Sequence, residues 1–207
     1  MTTTSAPLAR GSALRETLAR HVLVADGAMG TMLQDADVSL ADFEDYEGCN
    51  EILNVTRPDI VAEVHDAYLS VGVDCIETNT FGANLANLAE YGIEDRIYEL
   101  AYAGARIART QADIWSTPEQ PRFVLGAMGP GTRLPTLGHI TFAELRDAYA
   151  EQARGLINGG VDALLVETTQ DLLQAKAAII GCQRARATAG SDALIMVQVT
   201  VEMTGTM

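Results

Sequence analysis

The stretch VLVADGAMGTM, Val22 to Met32, runs four apolar residues directly into an acid and a glycine-rich turn. Val, Leu and Val in succession suit a strand of a parallel sheet that is covered on both faces. Asp26 would end that strand, and Gly27 and Gly30 would let backbone N–H groups approach a ligand closely. Because such folds bind ligands at the carboxyl ends of their strands, the stretch predicts a strand that leads into a site. The alternative is a tight turn in which Asp26 only caps the next segment.

The same pattern of an apolar run followed by polar or glycine-rich residues recurs four more times. The four segments are VDCIETNTFGAN from Val73, FVLGAMGPGTRLPTLG from Phe123, VDALLVETTQD from Val161 and ALIMVQVTVEMTGTM from Ala193. Helices are predicted between them over about 58–70, 95–114, 141–158 and 171–189. Thr141 and Glu144 have the spacing of a capping box, which supports the third helix. The alternation predicts βα units around a parallel sheet.

Composition predicts a soluble, cytoplasmic chain with one sizeable core. The 207 residues are 48% hydrophobic and 20% charged, which is ordinary for a globular domain. A formal charge of −14 argues against nucleic acid or an anionic membrane as a partner. Met1 to Arg10 lacks the apolar run of a secretory signal, and no stretch is apolar for long enough to span a membrane. Three scattered cysteines do not indicate a disulfide scaffold.

Two architectures use five βα-like units, a complete doubly wound domain and an unfinished eight-stranded barrel. A doubly wound domain usually covers its last strand with a helix, whereas this sequence stops at Met207, just after the fifth predicted strand. We therefore expect an incomplete (β/α)8 TIM-type barrel with about five of its eight units, and a truncated sequence. Residues 1–21 are predicted to form an N-terminal tail and helix, with Met1 to Pro7 as the tail, and residues 22–207 the partial barrel.

Several long motifs, in order, resemble the homocysteine-binding domain at the amino end of cobalamin-dependent methionine synthases. They are VLVADGAMGTM, EGCNEILNVTRPDIVAEVHDAYLSVGVDCIETNTFGAN, GAMGPGT, VDALLVETTQD and VQVTVEMTGTM. Simpler homocysteine methyltransferases, which use betaine or S-methylmethionine, share the aspartate-glycine turn and the acid on the fourth strand. EGCNEILN and VTVEMTGTM are similar to methionine synthases in particular.

The resemblance implies a (β/α)8 barrel with homocysteine across the carboxyl ends of the strands. Asp26 and Glu167 match the family's acidic residues that hold the substrate ammonium, and a pair of carboxylates suits that task. The N–H groups of Gly27 and Ala28 would receive the substrate carboxylate. For Glu167 the alternative is a structural ion pair with an arginine such as Arg133.

Other polar residues at the predicted strand ends carry more open interpretations. Thr78 and Asn79, with Thr80, could bind substrate through hydrogen bonds or could tie loops together. Glu77, which is predicted inside the apolar part of the second strand, and Glu202, near the end of the fifth, match no catalytic position of the family, and we expect each to pair with a neighbouring arginine.

In the family, zinc held by three cysteine thiolates binds the homocysteine sulfur and favours its thiolate. The family's three ligand positions lie beyond Met207. Cys49 is predicted in a loop, Cys75 inside a strand and Cys182 inside a helix, so we expect no tight zinc site and no catalytic residue in this chain.

The sequence thus predicts the homocysteine-binding portion of a methionine synthase, which transfers a methyl group from methylcobalamin to zinc-bound homocysteine. Zinc and cobalamin are expected for the full-length enzyme only, together with downstream folate, cobalamin and reactivation modules, and this chain alone would be inactive. One alternative is a non-catalytic protein that binds homocysteine or a related amino acid. Another is part of a stand-alone homocysteine methyltransferase with a different methyl donor.

Overall fold

The computed structural model describes residues 10–205. Four strands form one sheet in which every neighbouring pair is parallel, and their spatial order follows the chain. They are β1 (Cys75–Glu77), β2 (Phe123–Met128), β3 (Ala163–Thr169) and β4 (Leu194–Val199). Sequential parallel order with a helix between strands is the arrangement of a (β/α) barrel, so the predicted fold class is confirmed as a partial barrel. The predicted tail, Met1 to Pro7, lies outside the described residues, as do residues 206–207.

Eight α-helices accompany the strands within residues 10–205. They are α1 (Arg10–Leu18), α2 (Met29–Asp35), α3 (Leu53–Thr56), α4 (Pro58–Ser70), α5 (Leu85–Glu90), α6 (Ile97–Trp115), α7 (Phe142–Gly159) and α8 (Leu172–Ala189). Short 3₁₀ turns lie between several of them, including one over Asn50–Ile52. The four long helices fall where the sequence predicts them, within two residues at each end.

Local signals in the sequence explain where the long helices begin and end. Pro58 opens α4, where its missing N–H costs nothing. The Thr141 hydroxyl accepts the Glu144 N–H, and the Glu144 carboxylate accepts the Thr141 N–H, so the predicted capping box is present. Asp171 caps α8 by accepting the N–H groups of Leu173 and Gln174.

The alternating side chains of the strands build two apolar layers. Ile76, Val124 and Leu164 point outward and pack with α6, α7 and α8 in the larger cluster. Cys75 and Leu165 belong to the inner cluster, together with Phe123, Leu125, Ala163 and Leu194. Period-two alternation thus gives each strand one face toward the helices and one toward the barrel interior.

Helix α1 closes the amino-terminal end of the barrel interior. Its Leu14 is buried within the inner cluster. The N–H groups of Gly11 and Ser12 donate to the Asp192 carboxylate, at 3.2 and 2.8 Å, just before β4. The predicted division of the chain at residue 21 remains a prediction, and α1 packs directly on the sheet.

The first predicted strand is much shorter than expected, and its burial was predicted wrongly. Only Ala25 forms a ladder bridge, to Cys75 of β1, although Val24 also accepts the Asp74 and Cys75 N–H groups. Val22 is 92% exposed and Val24 58% exposed, so this segment is not covered on both faces. Within residues 10–205 it lies at the sheet edge beside β1, with no strand on its other side. An edge position explains both the short pairing and the exposure.

Within residues 10–205, no helix has the length and apolar character needed to cross a membrane.

Candidate functional site

A cleft of about 430 Å³ opens at the carboxyl ends of β1, β2 and β3. Its walls come from the turn after the edge segment, from the ends of β1, β2 and β3, and from the 3₁₀ turn before α3. The lining residues are Gly27, Ala28, Met29, Gly30, Asn50, Glu51, Glu77, Thr78, Asn79, Phe81, Ala127 and Glu167. The cleft therefore lies where βα folds bind ligands.

Asp26 lies beside this cleft, directly before the lining residue Gly27, and is fixed there by the end of β1. Its backbone N–H donates to the Cys75 carbonyl at 3.0 Å, and its Oδ1 accepts the Glu77 N–H at 2.9 Å. The second carboxylate oxygen has no hydrogen-bond partner among residues 10–205. One oxygen thus positions the side chain while the other is free for a ligand.

Glu77 and Glu167 line the cleft from two strands that are separated by β2. Glu77 ends β1 and follows Cys75 on the inner face, and Glu167 follows Leu165 on the inner face of β3. Ala127 of β2 lies between these two strands and also lines the cleft. Its small side chain leaves room between the two carboxylates.

The carboxylates of Glu77 and Glu167 line this cleft and that of Asp26 lies beside it, and none of the three has a cationic partner among residues 10–205. Among residues 10–205 none of the three forms an ion pair, so the predicted arginine partner of Glu77 is wrong, and the alternative pairing of Glu167 with Arg133 is absent. Burial raises the pKa of Asp26 to about 7, and the charges of Glu77 and Glu167 add to the rise. Burial also raises the pKa of Glu167 to about 7, with a further contribution from Glu77. The pKa of Glu77 is raised by its own burial.

A bulge at the end of β3 sets the direction of Glu167. Val166 pairs with Val197 and Thr169 with Val199, so Glu167 and Thr168 together oppose one residue of β4. Thr168 has φ +57°, a left-handed conformation that a β-branched residue rarely adopts. Bulges are found beside active sites, where they redirect a side chain.

The turn that follows Asp26 presents unpaired donors. The N–H groups of Gly27 and Ala28 donate to no acceptor within the described part of the chain. A Cβ on Gly27 would lie 3.5 Å from the Tyr68 hydroxyl, an ordinary contact, so the turn itself is not crowded. The cleft therefore combines negative side chains with free backbone N–H groups, which suits a zwitterion.

Thr78 and Asn79 line the cleft, but their side chains are already hydrogen-bonded. Thr78 Oγ1 accepts the Ala127 N–H at 3.0 Å and lies 2.6 Å from the Thr80 hydroxyl. The Asn79 amide donates to the Asn50 carbonyl at 2.8 Å and to Asn54 Oδ1 at 3.1 Å. These bonds tie the end of β1 to β2 and to the α3 region, so a role in ligand binding remains a prediction.

Glu51 is a lining residue that sequence reasoning did not single out. It is 8% exposed, and its Oε1 accepts the Gly82 N–H. Burial raises its pKa. No periodic signal identified it, because it lies in a short 3₁₀ turn between loops; its position in the EGCNEILN motif was the only signal available.

The family model for homocysteine S-methyltransferases matches residues 23–207, which includes the whole of this cleft. The chain belongs to the homocysteine S-methyltransferase family. It is 57% identical over 194 residues to methionine synthase of Mycobacterium leprae and 56% identical over 194 residues to methionine synthase of Mycobacterium tuberculosis. Each match covers 94% of this chain but 16% of the relative, so the chain spans about a sixth of the length of these methionine synthases.

Solved structures of a family member support the fold. The metallated form of the homocysteine methyltransferase MmuM from Escherichia coli superposes with a TM-score of 0.67 at 19% identity, covering 93% of this chain and 80% of that one. The apo form of MmuM gives a TM-score of 0.64 at 18% identity, covering 93% and 78%. At this identity the likeness concerns the fold alone.

The three cysteines of this family member do not fit the zinc ligands that the family resemblance implies. Cys49, Cys75 and Cys182 are all buried free thiols, and each lies in a different apolar cluster. Burial raises the pKa of each thiol to about 12, which opposes the thiolate that zinc needs. Residues 10–205 contain no group of three or more His, Cys, Asp or Glu side chains placed to hold a metal ion.

Proposed function

We propose that this chain is the homocysteine-binding portion of a methionine synthase. The cleft at the strand ends would hold L-homocysteine, with its ammonium on Asp26 and Glu167 and its carboxylate on the N–H groups of Gly27 and Ala28. The methionine synthases that match at 57% and 56% identity favour this member of the family over a methyltransferase with another donor.

One observation carries the proposal. Glu51, Glu77 and Glu167 line a cleft that no cation of residues 10–205 lines, Asp26 lies directly before its lining residue Gly27, and free backbone donors lie at the turn. Buried carboxylates are costly unless a positive group pairs with them, so the cleft suits an ammonium ligand. The free donors suit the carboxylate of the same amino acid, and together the two features select an α-amino acid.

In this proposal the chain binds and orients homocysteine and performs no chemical step alone. Zinc, when bound in the complete enzyme, would stabilise the homocysteine thiolate, and methylcobalamin would supply the methyl group. Because the three cysteines do not fit a zinc site, these groups are expected on residues and modules outside this chain. The predicted folate, cobalamin and reactivation modules and the cytoplasmic location belong to the same proposal.

Calorimetric titration with L-homocysteine tests the assignment. We expect Asp26→Asn and Glu167→Gln each to weaken binding by about 10- to 100-fold, the range for losing a charge-assisted hydrogen bond. Asp147→Asn is the matched control, because Asp147 lines a groove of similar volume, about 430 Å³, between α7 and α8. Equal loss in the control, or unchanged binding in both cleft variants, would contradict the assignment.

Binding without catalysis is the second candidate, and the burial of the three cysteines favours it for this chain. Measurable homocysteine affinity in metal-free buffer, with no methylation, is its expected result. Affinity that requires added zinc and disappears on mutation of the cysteines would contradict it.

A further inference from the structure

Glu77 is the shared neighbour of the two carboxylates assigned to the ammonium. Its backbone N–H holds Asp26 Oδ1 at 2.9 Å, and its side chain lines the same cleft as Glu167. Its charge contributes to the raised pKa of Asp26 and to the raised pKa of Glu167. Among residues 10–205 no other residue raises the pKa of both, so Glu77 links the two carboxyl groups electrostatically.

Among residues 10–205, the charged groups that face Glu77 at this cleft are all acidic. Asp26 faces it from the edge segment, Glu167 from β3 and Glu51 from the 3₁₀ turn at the cleft wall, and the Cys75 thiol lies two residues before it on β1. Among residues 10–205 no lysine, arginine or histidine lines this cleft. Carboxylates that share a site without a cation do not all ionise near neutral pH, so the group retains a proton.

We propose that Glu77 is a positioning residue that couples ligand binding to the release of a proton to solvent. In the ligand-free protein Asp26, Glu77 and Glu167 share one proton, and an arriving ammonium group displaces it to solvent. No covalent bond changes, and the positive charge lost as a proton is replaced by that of the ligand. This inference rests on the proposed function, because it takes the amino acid ammonium as the incoming cation.

The direction of the pH dependence follows. The ammonium binds the ionised cluster, so binding lowers the pKa of the carboxyl groups and releases the proton. Affinity therefore rises with pH through about 7, where Asp26 and Glu167 titrate. For one proton we expect about a tenfold rise between pH 6 and pH 8. Removing the charge at Glu77 lets the other two carboxyl groups ionise at lower pH.

The first test is calorimetric titration of the 207-residue chain with L-homocysteine at pH 6, 7 and 8, in buffers of different ionisation enthalpy. We expect the wild type to release about half a proton at pH 7, where the shared site is half protonated in the ligand-free protein. Glu77→Gln, which keeps the shape of the side chain, should release less than half of that, with the rise in affinity moved below pH 6. Glu119→Gln, in an exposed loop, is the matched control and should behave as the wild type. L-2-aminobutyrate, which lacks the thiol, should release the same proton as homocysteine.

The second test separates this inference from the identity of the ligand. Carbon-13 NMR of labelled carboxyl groups follows Asp26 and Glu167 without any ligand, and both should titrate near pH 7 and shift downward in Glu77→Gln. If homocysteine does not bind but these titrations hold, the homocysteine assignment fails and the shared proton stands. If both carboxyls titrate below pH 5, or Glu77→Gln leaves their titration and the proton release unchanged, the inference is overturned. A uniform loss of affinity at every pH with unchanged carboxyl titration would also overturn it, since Glu77 would then be a simple contact.

Discussion

Asp26 is a carboxylate whose burial opposes folding. Its pKa rises from an ordinary value near 3.8 to about 7 in the folded chain. A group with a raised folded-state pKa contributes stability that is complete below its unfolded pKa and is lost as pH rises through its folded pKa. The ligand-free chain should therefore lose stability from this residue between about pH 4 and pH 7. Such a cost is expected of a residue kept for binding rather than for folding.

Replacing Asp26 with asparagine should stabilise the ligand-free chain at pH 8. The amide still accepts the Glu77 N–H but carries no charge to bury. We expect a gain on the order of 1–2 kcal/mol in the free energy of unfolding, after allowance for partial solvent screening. At pH 4 the gain should largely disappear. Urea unfolding at the two pH values measures both quantities.

Asp42→Asn provides the opposite control for this prediction. Hydrogen bonds from Ser39 lower the pKa of Asp42, so its stabilising contribution is present above its unfolded pKa and is lost as pH falls. Asp42→Asn should destabilise the chain at pH 8. If Asp26→Asn destabilises the chain at pH 8 as much as Asp42→Asn does, burial of the Asp26 charge does not oppose folding.

The sequence identifies part of the site. Asp26 and Glu167 could be predicted because each follows an apolar run in a motif shared with the family. Glu77 was assigned to the interior of its strand, whereas β1 ends at Glu77 and its side chain reaches the cleft. An error of one or two residues at a strand end decides whether a carboxylate is structural or lines a site. The absence of a cationic partner depends on three-dimensional packing, and no sequence pattern reports it.

Among the elements, helices follow local signals while the edge strand depends on its neighbours. The boundaries of α4, α7 and α8 were predictable from Pro58, the Thr141–Glu144 capping box and Asp171. The segment from Val22 to Ala25 has a strand sequence, but pairing needs partners that the described residues supply on one side only. Strand formation is therefore less predictable from local sequence than helix formation.

The bulge at the end of β3 should tolerate glycine better than threonine. Thr168 has φ +57°, and a β-branched residue in this region carries strain of about 1–3 kcal/mol. Glycine removes that strain but adds about 0.5–1 kcal/mol of backbone entropy cost. Thr168→Gly should therefore raise the free energy of unfolding by about 1 kcal/mol in urea titrations.

Thr169→Gly is the neighbouring control for this prediction. Thr169 is fully buried and pairs with Val199, so its replacement should destabilise the chain. If Thr168→Gly destabilises the chain as much as Thr169→Gly does, the bulge stores no strain.

At the scale of the whole molecule, the sheet presents two open edges within residues 10–205. Val22 and Val24 are exposed at one edge, and Val197 and Val199 of β4 are 39% and 46% exposed at the other. Unpaired edges with apolar side chains promote association. We expect the 207-residue chain to self-associate in sedimentation velocity as concentration rises, and to bind a hydrophobic dye.

A charge on the open edge should weaken this association. Val199→Lys places a lysine beside the unpaired edge of β4, a common natural protection of edge strands. Val71→Lys is the control, because Val71 is 79% exposed beyond the end of α4, away from both edges. Equal association in the wild type and both variants would show that the edges are not the contact.

The cleft at the strand ends should bind homocysteine through Asp26 and Glu167. A crystal structure of the chain with L-homocysteine tests it most directly. The ligand ammonium should lie within hydrogen-bond distance of both carboxylates, and the ligand carboxylate at the N–H groups of Gly27 and Ala28. Homocysteine bound in the groove between α7 and α8, or bound in the cleft with its ammonium directed away from both carboxylates, would contradict it.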